Sequence, residues 1–253
     1  MIAWYAGEQW RLDVFNTHGK IYEASAAQMF NVPVESITKG DPLRQKGKVA
    51  ELALGYQGGP GALKSMGALE MGLDEDELKP LVDSWRAANP NIVNFWKGCQ
   101  NAAIKTVKTR SEHYTHGLKF YIKKGFLMIE LPSGRSLAYP KAKIAQNSWG
   151  SDVIEFRGLD LNHRWSVQKT YGGKLVENIV QATARDLLAI SILRIEEAGF
   201  KIVGHVHDEV IIEIPKGSNG LEQIENIMSQ PVSWAKGLTL NSDGFTSPFY
   251  MKD

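Results

Sequence analysis

Three short stretches of this sequence hold residue types that can do chemistry together. Arg44, Lys48, Leu52 and Tyr56 recur at a spacing of four, which on a helix makes one slowly drifting stripe. Two cations near a helix start, where free amides already favour negative charge, suit a polyphosphate, and Tyr56 is then placed to stack on a base. The same spacing, with Lys46 included, also describes an ordinary solvated basic face. In the run Lys201–Pro215, two β-rich segments meet at Asp208 and Glu209. Carboxylates at a strand end suit magnesium, which takes oxygen ligands and keeps positions open for water and phosphate. His205 and His207 fall on one strand face, which leaves a zinc site open; a polar turn between two core strands is the plain alternative. Third, Glu177, Gln181 and Arg185 form a polar line spaced by four. Gln181, among Ala182, Thr183 and Ala184, suits the acceptors of a nucleic-acid minor groove, or else lies on the solvent face of an amphipathic helix.

Patterning predicts the elements that carry these groups. Helices are expected over Ala3–Phe15, over Tyr22–Phe30 with a stop at Asn31-Val32-Pro33, and from the Asp41-Pro42 start signal through to Tyr56. Gly58, Gly59 and Gly61 end that third helix; Leu63–Gly67, Asp74–Ala88 (capped by Asp74, stopped by Asn89-Pro90) and Ile92–Lys108 come next. Strand-like composition then appears over Phe120–Glu130, Arg135–Pro140 and Ser151–Phe156. A long helix, Lys174–Ala198, precedes the Lys201–Pro215 hairpin, and Leu221–Met228 is a last helix. The expected fold class is α+β, with a helical front part and a back part built on a small antiparallel sheet.

Composition narrows the function classes. The chain has 253 residues, 43% hydrophobic and 23% charged, which excludes a wholly disordered protein. With 29 basic and 28 acidic residues it carries no global field for nucleic acid or membrane. The lone Cys99 makes neither an intramolecular disulfide nor a thiolate cage, no apolar run approaches the ~18 residues of a bilayer span, and the N-terminus lacks a signal-peptide pattern. A soluble cytoplasmic protein without a membrane partner is expected. Charge is nevertheless uneven, with ten basic residues against Glu112 and Glu130 between Lys97 and Ser148, and six acids against Lys79 between Met66 and Asp83. Tyr114, Phe120, Tyr121 and Phe126 interleave with the basic stretch, as a nucleic-acid face or as strand core.

The three stretches, in this order, resemble the polymerase domain of family A DNA polymerases, the bacterial DNA polymerase I type, and most of all its bacteriophage members. Leu43-Arg-Gln-Lys-Gly-Lys-Val-Ala-Glu-Leu-Ala-Leu-Gly-Tyr-Gln-Gly58 resembles motif B, and Val206-His-Asp-Glu209 resembles motif C. Gln181-Ala-Thr-Ala184 matches the helix between them, and Ile21–Phe30 and Leu131–Leu137 resemble further phage segments. The resemblance implies a helical fingers region over 1–118 and a palm over 119–253, together an incomplete right hand. It implies that Arg44 and Lys48 contact the incoming triphosphate, with Lys48 a proton donor to the leaving pyrophosphate. Leu52, where the family has an aromatic, would flank the nucleotide, Tyr56 would close over the nascent pair, and Tyr22 would touch the triphosphate. Gln181, Arg185 and His207 would contact DNA, Asp208 would bind the catalytic magnesium, and Glu209 would play a secondary role. Two Mg2+ ions, dNTP and primer-template DNA are the implied cofactors and partners, in the host bacterial cytoplasm if the chain is phage-encoded.

Departures from the family pattern are Leu52, Glu177 in place of an asparagine and Gly173 in place of an arginine. Residues Ile2–Glu8 resemble the family's segment just downstream of motif A, so the second metal-binding aspartate is expected from an upstream segment or subunit, and the chain alone is expected to be inactive. Two other readings stay open from the residues themselves. One is a non-catalytic module that binds nucleic acid or nucleotide. The other is a metal-dependent hydrolase built on His205, His207 and Asp208.

Overall fold

The computed structural model describes residues 1–160 and 162–251. Internal contacts divide the chain into Met1–Val180 and the residues from Gln181 on, a division that falls inside one long helix.

The larger part begins with α1 (Ile2–Ala6) and α2 (Gln9–Thr17) rather than the single helix expected over Ala3–Phe15. Gly7 breaks it by turning left-handed at φ 68°, a conformation that costs glycine no Cβ clash. The next residue, Glu8, points inward and is 4% exposed. Its carboxylate accepts the amides of Asn91 at 2.9 Å and Ile92 at 3.3 Å, and so caps a distant helix that opens at Pro90. α3 (Ile21–Phe30) ends on left-handed Asn31, and one 3-10 turn, Val34–Ser36, leads to α4 (Pro42–Leu54). The start signal holds, since Asp41 Oδ1 accepts the Leu43 amide at 2.7 Å with Pro42 in the first turn. The glycines after it do not merely end a helix, because Pro60 opens α5 (Pro60–Ser65). α6 (Glu75–Ala88) begins on a capping box of Asp74 and Glu77, and α7 (Pro90–Thr109) comes directly after it.

β1 (His113–Thr115), β2 (Leu118–Lys123), β3 (Phe126–Glu130) and β4 (Ser136–Pro140) form an antiparallel meander. The run Phe120–Glu130 is thus two strands folded at Lys124, itself left-handed at φ 50°. A second sheet joins β5 (Lys143–Gln146), β6 (Asp152–Leu159) and β7 (Trp165–Thr170). Sequence patterning misses β1, β5 and β7, which are short or alternate polar residues with few apolar ones. α7 buries Ile92, Phe95, Trp96, Cys99, Ala102 and Ala103, and packs on strands of both sheets. Trp85, Phe95, Phe120, Leu54, Leu118 and Ile129 are fully buried, each contributing about 1.5–3 kcal/mol of transfer free energy. Burial pushes the Cys99 thiol well up, so it is a core residue and not a nucleophile.

α8 (Gly172–Glu197) carries the chain into the smaller part. There β8 (Lys201–Val206) and β9 (Glu209–Glu213) form a hairpin, succeeded by α9 (Leu221–Met228). Ile195, Ile224 and Ile227 make its core, with Phe200, Ile202, Val210 and Ile212 packed against them. Among the described residues no helix is long and apolar enough to cross a membrane.

Candidate functional site

Helix α4 is fixed by what lies behind it. Gly47 meets α3 so closely that a Cβ there would sit 2.2 Å from the Tyr22 carbonyl oxygen. Glu51, on the buried side, is gripped by Arg11 of α2 through both guanidinium NH2 nitrogens, one of them at 2.8 Å. Ser25 of α3 and Trp85 of α6 also donate to Glu51 Oε1, at 2.7 and 2.9 Å. Arg11 Nε donates to Asn89 Oδ1 at 2.5 Å, and its guanidinium lies 4.9 Å from the Trp10 ring and 5.4 Å from the Trp85 ring. The pair is nearly dry, with side-chain exposures of 4% and 11%, and its remaining hydrogen-bonding capacity is used. Nothing in the sequence pattern marks Arg11, because a lone arginine in a polar helix looks solvated.

The outward side carries the expected stripe, in altered form. Arg44 and Lys48 are both half-buried, and Leu52 is 51% exposed. Arg44 Nε donates to Glu23 at 2.6 Å, and its guanidinium lies 5.6 Å from the Tyr22 ring. Burial would raise the Glu23 carboxyl, but the hydrogen bond and charge of Arg44 outweigh it and hold that carboxyl below its ordinary value. Lys46 is paired with Glu77 at 2.8 Å, so the basic face is partly neutralised. Lys48 has no hydrogen bond or ion pair among the described residues.

Tyr56 is not on the helix. α4 stops at Leu54, with Gly55 as its cap, and Tyr56 sits in the following turn, so the four-residue stripe ends at Leu52. Side chains from other elements take up the carbonyls of this turn: Trp96 Nε1 donates to Gly55 at 3.0 Å and Arg86 to Gly58 at 3.0 Å. Gln57 Oε1 accepts the Gly173 amide at 2.8 Å, and Gln100 Oε1 accepts that of Gly172 at 2.8 Å. Both glycines touch backbone, for a Cβ at Gly173 would lie 2.3 Å from the Tyr56 oxygen and one at Gly172 2.3 Å from the Trp96 oxygen. This close contact leaves no room for a side chain at 173. Burial, with the Glu177 charge, raises the Tyr56 hydroxyl above its ordinary value, so it stays a neutral donor. Glu177 itself pairs with Lys174 at 2.9 Å.

In the smaller part the hairpin turns at His207 and Asp208, one residue earlier than the sequence suggests; Glu209 is the first residue of β9, paired with Val206. His207 holds a left-handed backbone at φ 51°, a strained choice for a residue with a side chain. A bulge at Val203 shifts the register, since Ile202 faces Ile212 whereas Gly204 faces Ile211. His207, Asp208 and Glu209 are exposed, and neither Asp208 nor Glu209 has a hydrogen-bond or ion-pair partner among the described residues. Arg185, from α8, sets its guanidinium nitrogens 3.3 Å from both ring nitrogens of His205. A cation there opposes metal ligation by His205, and among the described residues no group of three or more His, Cys, Asp or Glu is placed to hold a metal. The His205, His207 and Asp208 of the zinc reading are thus not drawn together as a metal-ligand group among the described residues. Gln181 is exposed on α8, one turn before Arg185.

No protein-family model matches this chain. Over 255 aligned residues and its whole length, it is 60% identical to a DNA polymerase of Bacillus phage SP02. It spans 39% of that relative's length. Among solved structures it is similar to the POL domain of Pol1 from M. smegmatis, determined in complex with DNA primer-template and dNTP. That match has a TM-score of 0.58 at 16% identity and covers 94% of this chain and 35% of the other, a likeness of fold.

Proposed function

We propose that this chain is part of a template-directed DNA polymerase of the family A type, with fingers over 1–118 and palm over 119–253. The likeness to a phage DNA polymerase along the entire chain carries this reading. Helix α4 supplies the physical reason, since it is locked from behind by Arg11 and Glu51 and presents Lys48 without a competing anion. In nucleotidyl transfer the protein does little covalent chemistry; it positions the phosphates and neutralises their charge. Arg44 and Lys48 bind the triphosphate of the incoming dNTP beside Tyr22, and Lys48 Nζ holds the proton that the leaving pyrophosphate takes. Leu52 and Tyr56 flank the sugar and base. In the smaller part Gln181, Arg185 and His207 contact the primer-template. If the chain is phage-encoded, this reading puts the reaction in the host bacterial cytoplasm.

Asp208, exposed and without a partner, has the chemistry of a magnesium ligand, and Glu209 stands beside it in sequence. Bound Mg2+ supplies charge neutralisation at the reacting phosphate. One hairpin tip is too few carboxylates for two ions, so a further aspartate comes from polypeptide outside these residues, and the chain by itself does not extend primers. Primer extension tests this with the chain alone and with a full-length polymerase that contains it. Activity in the second alone, lost in Asp208→Ala and Lys48→Ala, is expected. Robust extension by the isolated chain would overturn the need for a further carboxylate, and full activity of both variants would overturn the reading. A non-catalytic binding module is the second reading, supported by the exposed lysines and aromatic rings on the outer face of β1–β3. It predicts salt-dependent DNA binding that Asp208→Ala leaves unchanged and no turnover even in the longer protein.

A further inference from the structure

The aromatic residues interleaved with lysines between Tyr114 and Phe126 are sorted by the register of the first sheet. Phe120 is fully buried on its inner face, while Tyr114, Tyr121 and Phe126 occupy the outer one. Tyr114 stands directly opposite Lys119, Tyr121 opposite Met128, and Phe126 opposite Lys123. Each aromatic therefore lies one strand over and two residues along from the last, a diagonal row with neighbours about 7–8 Å apart. β4 adds only Ser136, Ala138 and Pro140 to this face, side chains too short to cover the row. Tyr114 is 66% exposed and Phe126 38%.

The charge around the row is basic. Lys119 Nζ lies 5.2 Å from the Tyr121 ring and 2.8 Å from Glu112, which also accepts from the Tyr114 hydroxyl at 2.7 Å. Lys123 and Lys124, at the β2–β3 turn, have no ion partner among the described residues, and Glu130 is the remaining acid on this face. Exposed rings at Tyr114 and Phe126 with the half-buried Tyr121 between them, flanked by lysines, match bases joined by phosphates: every base has a face to stack, and each lysine replaces a counterion. A duplex offers no base faces to such a surface.

We propose that the outer face of β1–β4 is a stacking platform for single-stranded DNA, with Tyr114, Tyr121 and Phe126 under successive bases and Lys119, Lys123 and Lys124 along the phosphates. It rests on the proposed function, in which DNA is this chain's partner, yet it uses none of the residues assigned there.

Anisotropy of a fluorescein-labelled oligothymidine, titrated with the chain at several salt concentrations, tests it. Tyr114→Ala and Phe126→Ala are each expected to weaken binding about 5-fold or more, and Tyr121→Phe to retain what Tyr121→Ala loses. The double change Lys123→Ala with Lys124→Ala should flatten the log–log salt dependence by about 1.4. Circular dichroism checks folding, and Tyr114 is exposed enough that its loss leaves the sheet intact. Unchanged affinity in the Tyr114 and Phe126 variants overturns the platform, as does a chain with no single-strand affinity or one that self-associates through this face. Triphosphate binding at α4, measured separately, fails only if the polymerase reading fails, so the two can fall independently.

Discussion

Arg44 on α4 donates from Nε to a carboxylate oxygen of Glu23 on α3 at 2.6 Å. The guanidinium proposed to meet a triphosphate is thus already held by one anion, and Tyr22 lies under it. A nucleotide must displace Glu23 to use Arg44 fully. Glu23→Gln keeps a neutral acceptor but removes the competing charge, so labelled triphosphate should bind the variant more tightly, by up to about tenfold. Weaker binding in a fluorescence titration would show instead that Glu23 only orients Arg44.

The same pair predicts an acid limb. Glu23 has a folded-state pKa below its ordinary 4.5, so its contribution to stability is whole above about pH 4.5 and drains as pH falls through the lower folded value. Glu77, Glu112 and Glu213 are held down by hydrogen bonds from Lys46, Lys119 and Lys201 and act in the same direction, though all three are solvent-exposed. Urea midpoints of wild type and Glu23→Gln should converge as pH falls below the ordinary carboxyl value of 4.5. Parallel curves throughout would show that Glu23 titrates alike in both states.

Lysine spacing on α4 does not distinguish Lys46 from Lys48, but the structure does. Lys46 pairs with Glu77, whereas Lys48 has no partner among the described residues. Lys48→Ala should cost triphosphate affinity about tenfold or more, the order of a lost charge-assisted hydrogen bond, with little change in melting. Lys46→Ala should leave triphosphate affinity within a factor of two or so and lower stability only slightly, as for a solvent-screened surface ion pair. Equal nucleotide-binding losses in calorimetry would return α4 to a generic basic face.

Much of the candidate site is legible in sequence because its determinants are local. Asp41-Pro42 starts α4 by an amide cap and a fixed φ, and two β-rich runs with acids between them fold into a hairpin. What escapes is set by distant partners. Tyr56 keeps the four-residue spacing yet leaves the helix, because the turn after Gly55 is claimed by Trp96, Arg86 and α8. Glu8 looks like a surface acid and is a buried cap for α7; Phe120 and Tyr121 are neighbours in sequence and lie on opposite faces of one strand.

Gly173 should tolerate no side chain. A Cβ would lie 2.3 Å from the Tyr56 oxygen and 2.4 Å from the Gln57 Cβ, so backbone must move. Gly173→Ala is expected to cost about 1–3 kcal/mol, a melting shift of roughly 2–4 °C per kcal/mol at this chain length. Because the displaced backbone belongs to Tyr56, triphosphate affinity should fall too, which an ordinary destabilised surface site would not produce. A variant that melts and binds like wild type would contradict the close approach of α8 to this turn.

Arg11 and Glu51 set the last expectation, since a buried pair is costly to break and cheap to replace whole. Arg11→Met leaves Glu51 with the Ser25 and Trp85 donors but no countercharge, and should destabilise by about 3–5 kcal/mol. Glu51→Gln strands the guanidinium against Trp10, Trp85 and Asn89 and should cost a similar amount. The double variant removes both charges, so its cost should fall well below the sum of the two, with a coupling of at least about 1 kcal/mol in denaturant unfolding. Additive losses would mean that water reaches the pair and that the two charges do not sense each other, in which case α4 is held by its apolar contacts alone. Coupled losses accompanied by weaker triphosphate binding would show that this buried pair helps to hold the face of α4 proposed for the triphosphate.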